Sequence, residues 1–176
     1  GPFHPDSDTE VILRLYATHG PACVDKLAGM FAFAIWDATK RELFVARDRL
    51  GIKPFYYLRR PGLFAFASEI KALLGLSSRR IDRTALWDYF SYKYVPCPKS
   101  IYEDIRQLPP AHAMLVSGDS IRTWRYWSPE PSSEETDAAR AQRRFEQLMH
   151  EVVPEHMIAD VPIGVFLSGG IDSTAI

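Results

Sequence analysis

The segment Leu167-Ser168-Gly169-Gly170-Ile171-Asp172-Ser173 carries the most legible chemistry in the chain. Adjacent glycines accept positive φ and let main-chain N–H groups converge on one concavity. A helix starting at Asp172-Ser173 would add unpaired N–H donors at its first turn. With the hydroxyls of Ser168 and Ser173, this donor set suits the oxygens of a phosphate. Asp172 does not, because its carboxylate would repel that ligand. A hard cation between the two removes the conflict, so a Mg²⁺ ion bridging Asp172 and the phosphates is expected. The Gly-Lys-Ser/Thr of a Walker A loop is missing, so the design is a different one. The bland alternative is a Gly-Gly turn whose Asp and Ser merely cap a helix.

Such a loop needs elements to hold it. Val161-Pro162-Ile163-Gly164-Val165-Phe166-Leu167 has the pattern of a buried strand leading into it. Before that, Ala138, Ala141, Phe145, Leu148 and Val152 step by three and four, predicting an amphipathic helix to about Val153, where Pro154 kinks or ends it. Ser128-Pro129-Glu130-Pro131-Ser132-Ser133-Glu134-Glu135 has no apolar residue and reads as linker. The predicted organisation is thus a first domain over 1–127, a linker over 128–136 and the start of a second domain over 137–176.

The first domain opens on a helix: Ser7 and Glu10 fit a capping box, Val11, Ile12, Leu15 and Tyr16 follow at helical spacing, and Gly20 stops it. A helical turn over Pro21 to Leu27 follows. Phe31 to Trp36 and Leu43 to Ala46 are apolar throughout and predict a hairpin covered on both faces. Phe55 to Tyr57 and Leu63 to Phe66 predict a second hairpin across Arg59-Arg60-Pro61-Gly62. Helical signals run over Glu69 to Leu76 and Asp82 to Tyr89, with an irregular stretch from Tyr94 to Pro110. A third hairpin pairs His112 to Val116 with Ile121 to Tyr126 across Ser117-Gly118-Asp119-Ser120.

Composition excludes more than it identifies. With 21 Lys and Arg against 22 Asp and Glu in 176 residues, the net charge of -1 leaves no basic surplus for a dedicated nucleic-acid binder. No apolar run approaches the ~20 residues that cross a bilayer. Gly1-Pro2-Phe3-His4-Pro5 lacks the features of a signal peptide. Cys23 and Cys97 are far apart and form no CxxC pair, which suits a reducing, cytoplasmic setting and predicts no zinc site. His150 and His156 are six apart with Pro154 between them, so no metal pair is expected there.

Several long motifs in order carry a family resemblance. The loop at Leu167 to Ser173 resembles the pyrophosphate-loop signature of the ATP pyrophosphatase group of synthetases. Gly29 to Asp37, Ala46 to Tyr57 (Ala-Arg-Asp-Arg-Leu-Gly-Ile-Lys-Pro-Phe-Tyr-Tyr) and Phe66 to Leu73 resemble the later half of a class II glutamine amidotransferase domain. Together they are similar to the glutamine-hydrolysing asparagine synthetases and their relatives. The resemblance implies an α+β chain: the later part of an αββα N-terminal-nucleophile amidotransferase sandwich, then the first strand and loop of an α/β nucleotide-binding synthetase domain. It also implies glutamine hydrolysis in the first domain and passage of ammonia to the second. There ATP activates a carboxylate, aspartate in the namesake enzymes, as an acyl-adenylate. A homodimer fits the family precedent.

Carried over residue by residue, the resemblance implies that Asp8, in Ser7-Asp8-Thr9-Glu10, holds the α-amino group of glutamine. It implies that the main chain of Leu167 meets the adenine nucleotide, and that Ser168, Gly169, Gly170, Asp172 and Ser173 hold ATP and pyrophosphate, with Asp172 as the Mg²⁺ ligand. Arg47, Asp48, Arg49 and Lys53 carry a family signature and are expected to form a salt-bridge network shaping their loop, and Glu69 and Lys71 are read similarly. The family nucleophile is an N-terminal cysteine whose own α-amino group is the base. Gly1 stands at residue 1, so no catalytic residue is assigned and this chain alone is expected to be inactive. Three readings stay open: an asparagine synthetase, a relative acting on another carboxylate (exopolysaccharide-linked, β-lactam-forming or peptide-cyclising), and a non-catalytic module.

Overall fold

A computed structural model describes residues 7–130 and 136–175. Gly1 and positions 131–135 of the expected linker lie outside the described residues. The chain divides into two compact units, Gly1–Pro129 and Glu130–Ile176.

In the first unit, helix α1 (Asp8–His19) begins where the Ser7 hydroxyl accepts from the Glu10 N–H at 3.4 Å, and it ends at Gly20 with φ 58°. A 3₁₀ turn over Gly20–Lys26 follows. Strands β1 (Ala32–Asp37) and β2 (Glu42–Arg47) form the first hairpin, and β6 (His112–Ser117) with β7 (Ser120–Arg125) the third; they join in one antiparallel sheet of order β1-β2-β6-β7. Strands β3 (Tyr56–Arg60), β4 (Leu63–Ala67) and β5 (Ile105–Gln107) form a second sheet of order β4-β3-β5.

Period-two alternation sorts side chains into three cores. Phe44, Ala46, Ala113 and Ile35 face Tyr16, Cys23 and Val24 of the helical layer. Val45, Met114 and Val116 look the other way, onto Phe55, Leu108, Tyr57 and Phe64 between the sheets. Leu58 and Ile105 turn to the far face of the second sheet, where Leu73 of a 3₁₀ turn (Ile70–Leu73) covers them. The layers therefore run helix, sheet, sheet, helical turn, as the αββα expectation requires.

Several expectations need correction. Arg59 and Arg60 belong to β3, so Pro61-Gly62 alone makes the turn, with Gly62 at φ 70°. The helix expected over Glu69 to Leu76 shortens to one 3₁₀ turn, while α2 (Arg83–Tyr92) runs on to Lys93 at φ 64°. The stretch from Tyr94 to Pro110 contains β5, which pairs with β3 from Tyr56↔Gln107 to Leu58↔Ile105. The first hairpin is not covered on both faces throughout: β1 is an edge strand among the described residues, and Trp36 is 58% exposed.

In the second unit, α3 (Ala138–His156) starts at Asp137, whose carboxylate accepts from the Ala139 and Arg140 amides at 3.0 and 3.2 Å. It passes Pro154 without stopping, because the proline sits in the last turn, where few bonds remain to be lost. Val161 to Leu167 is not a buried strand: it has no sheet partner among the described residues, and Phe166 is 98% exposed. An apolar run becomes a strand only when another backbone pairs with it, and among the described residues of this unit there is no strand. The short helix α4 (Ile171–Ala175) closes the described chain. Among the described residues no helix is long and apolar enough to cross a membrane.

Candidate functional site

Asp8 is the first residue of α1 and is exposed. The helix that carries it is clamped near its other end. Tyr16 donates to Asp37 Oδ2 at 3.4 Å, and Lys40 pairs with the same oxygen at 3.2 Å. The Thr39 and Lys40 amides donate to Asp37 Oδ1, each at 3.0 Å, so one carboxylate serves the hairpin turn and the helix together. The Tyr16 ring stacks on Phe44 at 5.3 Å. Burial pushes the Tyr16 phenol up, so it remains a donor at neutral pH. The clamp sets the axis of α1 and hence the place of Asp8.

The Arg47–Lys53 loop is organised differently from the expected salt-bridge network. Arg47 is 7% exposed and Asp48 1% exposed, yet both bond main chain rather than opposite charges. Arg47 donates from Nε to the Lys53 carbonyl at 2.8 Å, from Nη1 to that of Leu108 at 2.6 Å, and from Nη2 to that of Gly51 at 2.7 Å. Asp48 accepts from the Leu50, Ile52 and Lys53 amides at 3.2, 2.9 and 3.0 Å. Each side chain therefore holds several peptide groups of a sharp bend, which an ion pair between them would not do. A Cβ on Gly51, which has φ 68°, would sit 2.7 Å from Pro110 Cγ, so only glycine fits. Tyr126 ties the last strand to the bend by donating to the Arg47 carbonyl at 2.8 Å. Arg49 lies over the Trp127 ring at 5.7 Å. Glu69 and Lys71 do pair, at 2.7 Å, on the surface.

In the second unit, Gly169 has φ 77°, the left-handed conformation that the loop expectation needs. The Gly170 N–H donates to Ser168 Oγ at 3.4 Å, and the Ser168 and Ser173 hydroxyls lie 3.0 Å apart. Ser173 and Thr174 donate to the Gly170 carbonyl at 3.1 and 2.8 Å. A Cβ on Gly170 would stand 3.5 Å from Ser168 Oγ and 3.8 Å from Ser173 Oγ, so its absence keeps the space between the two hydroxyls open. Ser168, Gly169, Gly170, Asp172 and Ser173 are thus brought into one tight bend. Leu167, expected to end a core strand, is 70% exposed instead. Among the described residues no group of three or more His, Cys, Asp or Glu could hold a metal by itself.

Neither cysteine is poised for nucleophilic chemistry. Cys23 lies fully buried in the first core, where burial, with the nearby Asp25 charge, pushes its thiol up to about 11. Burial also raises the Cys97 thiol, against the lowering pull of Arg47. The reactive form is the thiolate, which burial disfavours at both positions.

The layered sandwich with its main-chain-locked bend defines a class. A family model described as a glutamine amidotransferase domain matches residues 1–127, and the chain belongs to that family. A second model, described as asparagine synthase, matches residues 144–176. The chain is 41% identical over 177 residues to glutamine-hydrolyzing asparagine synthetase 3 of Bacillus subtilis (strain 168), covering 99% of this chain and 29% of that protein. It is 36% identical over 176 residues to glutamine-hydrolyzing asparagine synthetase 1 of the same strain, covering 99% and 28%. The chain therefore spans under a third of the length of these curated relatives. A solved glutamine phosphoribosylpyrophosphate amidotransferase from B. subtilis aligns at TM-score 0.49 and 20% identity over 73% of this chain and 24% of its own, too weak a likeness to carry weight.

Proposed function

We propose that the protein carrying this chain is a glutamine-dependent, ATP-consuming amide synthetase of the asparagine-forming kind. Aspartate, glutamine, ATP and water become asparagine, glutamate, AMP and pyrophosphate. The observation that carries this reading is order: a glutamine amidotransferase domain over 1–127 precedes an asparagine synthase segment over 144–176 in one chain. The division of labour is then 1–127 for glutamine, 128–136 as linker, and 137–176 as the start of the synthetase part. The missing sheet neighbours of Val161 to Leu167 belong, on this reading, to the further length that the relatives have.

Asp8 takes the α-amino group of glutamine, a charge-assisted contact for which its exposed place at the start of a clamped helix is suited. Ser168 to Ser173 hold the phosphates of ATP. The donor set fits: Gly169 is in the left-handed region, and Gly170 leaves room between two hydroxyls that can rotate toward a ligand oxygen. The lone carboxylate of Asp172 suits Mg²⁺, which commonly keeps its waters and takes one or two carboxylates plus phosphate oxygens rather than a protein cage. When bound, the ion neutralises phosphate charge beside Asp172. The Leu167 main chain adjoins the nucleotide. A carboxylate is a poor electrophile until its oxygen becomes part of a good leaving group, and AMP supplies one. Holding the phosphates fixed while that exchange occurs is the work of the loop.

The test is pyrophosphate release by the full-length protein with glutamine and ATP across a panel of carboxylic acids. Release that depends on aspartate, with asparagine formed in equal amount, supports the proposal. Release that depends on a different acid, or none with any acid, overturns the asparagine-forming assignment.

A further inference from the structure

A pocket lies at the rim of the slot between the two sheets, remote in sequence from the Ser168 to Ser173 loop. It is lined by Tyr57, Arg59, Glu103, Asp104, Arg106 and Ile121, with a volume of about 390 Å³. Strand alternation gives its logic. Tyr57 of β3 packs in the core between the sheets, while Leu58 and Ile105 turn to the opposite core. Arg59, two residues from Tyr57, and Arg106, next to Ile105, therefore lie on the face of the second sheet that looks toward the first. That face is otherwise apolar, and Ile121 of β7 meets it from the other sheet.

Arg106 stands directly across from Tyr57, so Arg59 is its diagonal neighbour on the adjoining strand. Like charges at such positions repel unless an anion lies between them. The carboxylates lining the pocket do not supply it. Asp104 is taken by Arg60 at 2.9 Å, the Ser77 hydroxyl at 2.7 Å and the Ser78 amide at 2.8 Å. Glu103 is taken by Arg80 at 2.9 Å. Arg59 donates to the main-chain carbonyl of Asp119, and Arg106 has no ion-pair partner among the described residues. Tyr57 is stacked on Phe64 at 5.8 Å, and burial raises its phenol, so it adds a fixed hydroxyl donor at neutral pH.

We infer that this pocket binds a small phosphorylated molecule through the guanidinium groups of Arg59 and Arg106 and the Tyr57 hydroxyl. Planar guanidinium forks match phosphate oxygens two at a time, and the volume lies in the range of small-ligand sites. The inference stands apart from the proposed synthetase chemistry, because no residue of this pocket takes part in it.

The experiment titrates the full-length protein with inorganic phosphate by calorimetry at constant ionic strength, with chloride as the control anion. The variants are Arg106→Gln, Arg106→Lys and, in the second unit, Ser173→Ala. Among the described residues the Arg106 side chain makes no hydrogen bond or ion pair, and its backbone pairing with β3 does not depend on the side chain, so unchanged unfolding without phosphate is expected for its variants. A saturable phosphate site that survives Ser173→Ala, weakens roughly tenfold or more in Arg106→Gln and weakens less in Arg106→Lys supports the inference. Phosphate binding that is unsaturable, that is unchanged by Arg106→Gln, or that is lost only in Ser173→Ala overturns it.

Discussion

Two loops in this molecule look equally rich in chemistry and differ in how far the chain completes them. The Arg47–Lys53 bend buries an arginine and an aspartate and satisfies both with peptide groups that the first unit itself provides. The Ser168–Ser173 bend closes its own hydroxyl bonds, but the apolar segment leading into it stays bare, with Phe166 98% exposed. Asp48 bonds near neighbours, but Arg47 and Tyr126 tie the first bend to residues far off in sequence, and a strand likewise depends on backbone partners that lie elsewhere.

The strongest way to break this contrast is Asp48→Ala. It removes a carboxylate that is 1% exposed and leaves the part-buried amide bonds of Leu50, Ile52 and Lys53 without their acceptor. A loss of about 3 kcal/mol or more is expected in urea unfolding of the first unit. A loss under 1 kcal/mol, on the order of a surface change, would mean that the bend does not depend on its carboxylate.

Asp104 tests the same principle at a more exposed clasp, with a pH signature. Burial pushes its carboxyl up, but the Ser78 amide, the Ser77 hydroxyl and Arg60 together outweigh that and hold it well below the usual carboxylate range. A depressed folded-state value stabilises the protein above the unfolded carboxyl's pKa of about 4, and the contribution fades as pH falls below it. Asp104→Asn is expected to cost about 1–2 kcal/mol at pH 7, with the gap to wild type narrowing on acidification through that range. A gap that widens toward acid would reverse the sign and refute the clasp.

The smallest effect belongs to the other region. Phe166→Ser is expected to leave the unfolding of this chain unchanged within about 0.5 kcal/mol, since that ring is solvated. In the full-length protein the same change is expected to cost about 3 kcal/mol or more, the usual penalty for a core aromatic. Equal, small effects in both would show that the segment is never buried.

Much of the first unit was legible in the residues. The Ser7 cap and the Gly20 stop are local signals, as are the hairpin crossings at Arg59 to Gly62 and Ser117 to Ser120, which the structure trims to two residues each, and the unbroken apolar run Leu43 to Ala46 marks a central strand. What escaped was non-local. Ile105–Gln107 is too short to show a period and becomes a strand only by pairing with β3. The charges of Arg47 and Asp48 suggested a salt bridge, because a sequence shows charge but not which carbonyls and amides a fold will present. Val161 to Leu167 has strand composition without strand partners among the described residues. For the site, the glycines and serines of the loop were visible at once; away from it, Arg59 and Arg106, 47 apart in the chain, share one face of the second sheet only through its register.

The most direct test of the account is Asp172→Ala in the full-length protein, with pyrophosphate and glutamate formation measured in parallel. Loss of pyrophosphate and amide formation, with glutamine hydrolysis largely kept, is the predicted result. Equal loss of both activities, or undiminished synthesis, would contradict the assignment of this loop to the phosphates of ATP.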